Sequence, residues 1–274
     1  MEGEPLVAAV LQGFEIRAAS FIVTIYGDVV VPRGGVLWTG TLIEICERVG
    51  INESLVRTAV SRLVAANRLR GERVGRRSYY RLDTSAQREF DQAAGLLYAP
   101  EVPALGWQIL HAPKLDEDEA RRQRMGHMGG AIFIRPDRGQ PPPEDAICFH
   151  AADPEGLPGL AQFWDLTALD EGYHDFLTRF GAIANEGPRS DEAALVLRLL
   201  LVHAYRSVML RDPRLPAAAL PCDWKGHAAR ALFHRLYLRL TPAAERWVGL
   251  RFEGVDGLLP DQSPASAARL QTFM

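Results

Sequence analysis

The stretch "INESLVRTAVSRLVAANRLRGERVGRRSYYRL", residues 51–82, decides the fold. Asn52 is a helix cap, and Ile51 and Val56 stand where a hydrophobic staple around that cap would place them. Val56, Ala59, Val60, Leu63 and Val64 then form an apolar stripe at helical spacing. Ser54, Arg57, Thr58, Ser61 and Arg62 recur at i, i+3, i+4, i+7 and i+8 on the opposite face. Short hydroxyls and bidentate arginines are the side chains that read base edges and phosphates in a major groove. A solvated helix more often mixes Glu and Lys there, whereas no acid follows Glu53 until Glu72. After the helix the pattern predicts a strand near Leu69–Val74, a turn at Gly75–Arg77 and a strand near Ser78–Leu82.

Working outward, "TLIEICERVG" (41–50) predicts the preceding helix, with Leu42, Ile45, Cys46 and Val49 on one face. A Thr41/Glu44 capping box opens it and Gly50 stops it. Two helices about three residues apart, followed at once by a hairpin, make a winged helix-turn-helix. Arg76 and Arg77 then sit at the wing tip, beside the phosphate backbone or the minor groove. Of Tyr79 and Tyr80, one packs on the helices and the other is free to touch DNA; alternation alone does not say which. Further upstream, 14–28 reads as a mostly apolar helix and "VVVPRGG" (29–35) as a linker broken by Pro32 and Gly34–Gly35.

Charge supports a polyanion partner. Residues 52–81 hold eight arginines against Glu53 and Glu72, a net +6, leaving −9 for the rest of a chain whose total is −3. A basic island in an acidic chain is the footprint of a local nucleic-acid surface. The chain opens without a basic, apolar leader (Glu2 and Glu4 stand early), and its longest apolar runs, such as Leu195–Val202 with Arg198 inside it, are too short to span a membrane. Cys46, Cys148 and Cys222 are odd in number and far apart, which argues against disulfide or zinc frameworks and suits a cytoplasmic protein.

Residues 84–98 predict a connecting helix that ends before Pro100. Strands follow at "GWQILHAP", "GGAIFIRP" and "DAICFHA", with "LDEDEARRQRM" as a helix between the first two and "GLPGLAQFWDL" as a helix after the third. The order β-α-β-β-α suggests a ferredoxin-like α+β domain carrying the proline-rich loop "DRGQPPPED". Helices are expected over roughly 169–184, 190–210 and 225–240. The expected fold is therefore α+β: a winged-helix domain (1–83), a connecting helix and linker (84–103), a ferredoxin-like domain (104–168) and a helical C-terminal domain (169–274). There is no phosphate-binding glycine loop, His-Glu-x-x-His, Gly-x-Ser-x-Gly or paired-cysteine motif, so no catalytic residue, metal or cofactor is expected.

"GDVVVPRGG", "VRTAVSRL", "GRRSYY", "YRSVMLRDPRLP" and "LPCDWKG" stand in order across roughly residues 14–245. Together they resemble the PaaX-like repressors of phenylacetate catabolism. The resemblance implies a cytoplasmic, homodimeric bacterial repressor of three domains that binds double-stranded operator DNA and no membrane. It also implies release by a small-molecule inducer, phenylacetyl-coenzyme A in the best-known members. The DNA-contacting set would be Ser54, Arg57, Thr58, Ser61, Arg62, Arg73, Arg76, Arg77, Ser78 and Tyr80. The sequence departs from the family at Phe133, where a tryptophan is usual. For the inducer, phosphates need cations and an acyl group needs an apolar slot, which nominates His203, Tyr205, Arg206, Arg211, Trp224 and His227. The alternatives are an acyl-CoA enzyme with an accessory winged helix, and a winged helix used only for protein contacts.

Overall fold

A computed structural model describes residues 4–152, 155–184 and 186–273 of the chain; Glu2 lies outside them. The chain divides into two units. The first comprises the chain up to Pro100, Phe176–Arg206 and the chain from Arg230 onward; the second comprises Glu101–Asp175 and Ser207–Ala229.

In the first unit, α1 (Pro5–Leu11) precedes α2 (Ala18–Ile25). The apolar run does not end in a linker. The helix widens into a π-turn over Tyr26–Val30 and tightens into a 3₁₀ turn over Val31–Arg33. Pro32 sits in the first turn of the 3₁₀ segment, where a missing N–H costs nothing. The Gly35 amide closes the widened turn on the Val30 carbonyl at 2.9 Å. Phe21, Ile22, Ile25, Tyr26 and Val29 of this segment are fully buried.

β1 (Val36–Trp38) leads directly into α3 (Thr39–Glu47). The expected capping box is absent: Trp38 occupies the cap position, so Thr41 lies inside the helix and accepts the Glu253 amide at 3.4 Å. Glu44 pairs instead with Arg251. Gly50, at φ +81°, stops the chain after α3 as expected, with the Ile51 amide returning to the Cys46 carbonyl. The helix expected after Asn52 is α4 (Glu53–Ala65), capped by Asn52 Oδ1 accepting the Leu55 amide at 3.0 Å. Ile51 and Val56 are both buried, as the staple requires. Val64 does not join the core stripe; it is 37% exposed near the end of the helix.

β2 (Leu69–Val74) and β3 (Arg77–Leu82) form the expected hairpin, with Val74 opposite Arg77 across a two-residue loop and Gly75 at φ +62°. β1 adds a third antiparallel strand, in the order β1-β3-β2, and pairs Leu37 with Tyr80. α5 (Thr84–Tyr98) follows, capped by Asp83.

The second unit holds β4 (Gly106–His111), α6 (Glu117–Arg122), β5 (Gly126–Gly129), β6 (Ile132–Asp137) and β7 (Ile147–Ala151). They make an antiparallel sheet in the order β5-β6-β4-β7. Ala120 of α6 packs with Leu110, Ala112, Met125 and Phe133. "GHMG" is a short strand whose two glycines hide any alternation in the sequence, and "LPGLAQF" (157–163) winds as a 3₁₀ segment rather than the expected helix.

α7 (Leu166–Gly181), α8 (Asp191–Met209) and α9 (Gly226–Arg251) each contribute residues to both units. α9 runs well past the expected end near 240 and carries Pro242 inside it. β8 (Glu253–Gly254), β9 (Gly257–Leu258) and α10 (Pro264–Gln271) complete the first unit. Among the described residues, no helix is long and apolar enough to cross a membrane.

The first unit's interior holds a cluster of charges. Asp28, 2% exposed, accepts hydrogen bonds from Tyr98 Oη (2.9 Å), Tyr237 Oη (2.8 Å) and Arg198 Nε (3.0 Å). Burial alone would lower the Arg198 pKa, but Asp28, Tyr237, Glu245 and Tyr98 together outweigh it and the guanidinium stays charged. Arg33 donates to Glu245 at 2.9 Å and to the Val29, Pro260 and Asp261 carbonyls. Each of these four charges is therefore paired and hydrogen-bonded, the condition for tolerating it in a core.

Candidate nucleic-acid interface

α4 presents Ser54, Arg57, Thr58, Ser61 and Arg62 to solvent, all exposed. They share that face because Val56, Ala59, Val60 and Leu63 are buried on the other. Leu55 joins the outer surface, 52% exposed. Arg57 is held by Glu53 one turn earlier, Nε to Oε1 at 2.8 Å and Nη2 to the same oxygen at 2.6 Å. The Thr58 hydroxyl donates to the Ser54 carbonyl at 2.9 Å. Arg62 has no hydrogen-bond or ion-pair partner among the described residues, so its fork is available to a ligand.

The hairpin treats its two tip arginines differently. Arg76 projects from the loop with no partner among the described residues. Arg77 lies 4.5 Å over the Trp38 ring and pairs with Glu253, so its charge is partly used at home. Arg73 Nε reaches the Gly75 carbonyl at 3.3 Å, and Arg81 pairs with Glu72. Ser78 gives its carbonyl to the Thr39 hydroxyl at 2.6 Å. Alternation is resolved: Tyr79 is buried at 5% exposure, and Tyr80 is the half-buried ring on the other face. Arg70 is a further exposed strand arginine of the basic island, with no hydrogen bond or ion pair among the described residues.

The residues nominated for an inducer divide between the units. His203, Tyr205 and Arg206 belong to the first; Arg211, Trp224 and His227 belong to the second. His203 is 7% exposed between the Phe14 and Phe21 rings, with Nδ1 3.0 Å from Thr24 Oγ1. Thr24 gives its own proton to the Ser20 carbonyl, so the imidazole donates from Nδ1. Burial and then the Arg206 charge lower its pKa to about 4. Tyr205 stacks on Phe233 with ring centroids 4.3 Å apart, and Trp224 meets Tyr173 edge-on at 5.6 Å. These three rings are packed side chains, whereas Arg211 and His227 are exposed.

A catalytic-looking arrangement spans β7 and the end of β6. His150 Nδ1 lies 2.7 Å from Asp137 and its Nε2 3.8 Å from Cys148 Sγ. It stands on an exposed edge strand, and burial raises the Cys148 thiol pKa, which disfavours the thiolate a nucleophile needs. No group of three or more metal-ligating side chains gathers among the described residues.

Residues 17–86, which carry α2 to the hairpin, match the family model for PaaX-like proteins, and residues 164–249 match that for the PaaX-like C-terminal domain. The transcriptional repressor PaaX of Escherichia coli K12 is 32% identical over 277 residues, covering 89% of this chain and 87% of that protein. The chain belongs to the PaaX-like family. An uncharacterized protein from Mycobacterium tuberculosis is also similar in structure, at a TM-score of 0.46 and 24% identity, covering 74% of this chain and 88% of that one. The PaaX-like match over 17–86 takes in every nominated DNA-contacting residue.

Proposed function

We propose that this PaaX-like chain is a transcriptional repressor of a phenylacetate-type catabolic operon. It would grip a pseudo-palindromic operator as a homodimer and be released by an aryl-CoA thioester. The observation that carries this reading is the exposed Ser54–Arg62 face of α4 beside the Arg76 loop, in a chain related to a protein named a transcriptional repressor. We read residues up to 83 as a winged helix, supported by α3, α4 and the β1-β3-β2 sheet in their chain order. We read 104–168 as ferredoxin-like, supported by the antiparallel order β5-β6-β4-β7.

In this reading α4 enters the major groove and the hairpin loop reaches the neighbouring backbone. A tenfold loss of operator affinity on inducer binding needs about 1.4 kcal/mol of coupling, so the inducer must prefer the DNA-free form by that amount. Calorimetry with phenylacetyl-CoA, a long aliphatic acyl-CoA, CoA and phenylacetate, alongside operator release by fluorescence anisotropy, tests it. Release by phenylacetyl-CoA and not by phenylacetate is expected. Tight binding of the free acid alone sinks the inducer assignment, and hydrolysis of the thioester during titration favours an enzyme.

A further inference from the structure

The second unit gathers four arginines. Arg124 follows α6, Arg135 and Arg138 lie on β6 and the loop after it, and Arg214 lies in the proline-rich segment beyond α8. Their anchoring is unusual for so many cations. Arg135 donates from Nε to Gln108 Oε1 at 2.8 Å and from Nη2 to the Pro141 carbonyl at 2.6 Å. Arg138 donates from Nε to the Val102 carbonyl at 2.9 Å and from Nη2 to the Arg214 carbonyl, with Glu101 at 3.4 Å.

The carbonyls satisfy donors without cancelling charge, and Glu101, Asp137 and Asp212 set three carboxylates against the four guanidiniums, so one net positive charge remains. Burial, then the Arg214 and Arg138 guanidiniums, lower the Arg124 pKa to about 10; Asp212 opposes them. That carboxylate is already occupied: Tyr173 Oη donates to Oδ2 at 2.5 Å and the Arg214 amide to Oδ1 at 2.6 Å. Arg124 Nη1 is sealed from solvent and has no hydrogen-bond partner among the described residues. A buried cationic donor with no acceptor, crowded by like charges, marks a place where an anion is missing. Trp164 Nε1 fixes the backbone there by donating to the Arg124 carbonyl at 3.1 Å.

We propose that this arginine cluster, centred on Arg124 with Arg138 and Arg214 beside it, is an anion site that takes the phosphate oxygens of the small-molecule effector. The planar fork of arginine suits a phosphate bidentately, and a doubly charged oxyanion would relieve the repulsion among the guanidiniums. The identity of the effector as a CoA thioester rests on the function proposed above; the anion site itself does not.

The full-length protein is titrated by calorimetry with phenylacetyl-CoA, with the phosphate-free S-phenylacetyl-pantetheine, and with inorganic pyrophosphate. Wild type should bind the CoA ester at least tenfold more tightly than the pantetheine ester. Arg124→Gln should lose tenfold or more toward the CoA ester and pyrophosphate while keeping its affinity for the pantetheine ester. Arg214→Gln carries the same comparison should the first variant fail to melt cooperatively. Equal binding of the two esters by wild type, or undiminished pyrophosphate and CoA-ester binding by both variants, overturns the site. Pyrophosphate binding lost in Arg124→Gln, with no tight CoA ester at all, keeps the anion site and removes only the aryl-CoA identity. Weakened operator binding by Arg124→Gln without effector would make DNA phosphates the occupant and overturn the proposal.

Discussion

At the scale of single residues, Arg57 has two employers. Its exposed pair with Glu53 contributes only about 0.3–0.5 kcal/mol, so a guanine or phosphate outbids it easily. Arg57→Ala should cost on the order of 1–3 kcal/mol in operator affinity and relax preference at one base position in each half-site, read by selection from a random-site library. An unchanged logo with weaker binding makes Arg57 a phosphate clamp. Glu53→Gln should tighten binding to operator and random DNA alike, since it frees the fork and removes a negative charge from the face. His203 offers a test by pH. Its folded pKa, about 4, lies below the ordinary 6.5, so the neutral ring is what the fold favours. Stability from His203 is therefore full above pH 6.5 and lost as pH falls toward 4, an amount on the order of 3 kcal/mol. His234, stacked on Phe273 and likewise lowered to about 4 by burial and then Arg230, acts in the same window. Denaturant titrations at pH 7.5 and 4.5 should show His203→Gln narrowing the gap between them; a gap as wide as wild type's would remove His203 as its source.

At the scale of elements, the hairpin loop carries an unequal pair. Operator affinity should fall with salt at a log–log slope of about −0.9 per neutralised phosphate. Arg76→Ala should flatten that slope by about one phosphate per subunit. Arg77→Ala should flatten it less, because Arg77 already spends charge on Glu253 and lies over Trp38. Equal effects would show that the Glu253 pair opens on DNA, and no effect of either removes the loop from the interface. α3, α4 and the hairpin were legible because their signals are local: a capping asparagine, a staple, helical spacing and a two-residue loop with one positive-φ glycine. β1 was not, since three residues are too few to show alternation, and its place in a sheet depends on β3 more than forty residues later. The turns after α2 look like a linker in the sequence because Pro32 and two glycines resemble breakers, although a proline opening a 3₁₀ turn breaks nothing. His203 and Trp224 looked like ligand side chains for a similar reason. A histidine or tryptophan shows its chemistry in the sequence, but not the Phe14, Phe21 or Tyr173 rings packed against it.

At the scale of the whole molecule, the sequence held a clue that composition does not weigh. Asp28 and Arg198 are each lone charges in apolar helical runs, 170 residues apart, and the fold buries them together. Arg33 and Glu245 repeat the pattern, and Arg269 Nη1 caps the Gly27 and Asp28 carbonyls at 3.0 and 3.1 Å. The segment that supports α4 is thus fastened to α8, α9 and α10 by ion pairs and hydrogen bonds that reach 170 residues or more along the chain. A boundary at residue 83 separates Asp28 and Arg33 from all of them. Removing one partner of a buried pair costs about 3–5 kcal/mol, a large share of a typical domain's stability. Arg198→Ala should therefore lower the unfolding free energy of the full-length protein by that amount, measured by denaturant titration with m unchanged. The fragment 1–83 should fail to melt cooperatively and should bind operator only weakly, because the cost falls on two pairs at once. Asp28→Asn combined with Arg198→Met removes both charges and keeps volume, and should recover much of what either single change loses. A fragment 1–83 that melts cooperatively and binds operator as tightly as the whole chain would show instead that α4 and its hairpin stand alone, and that the buried charges serve only the helices behind them.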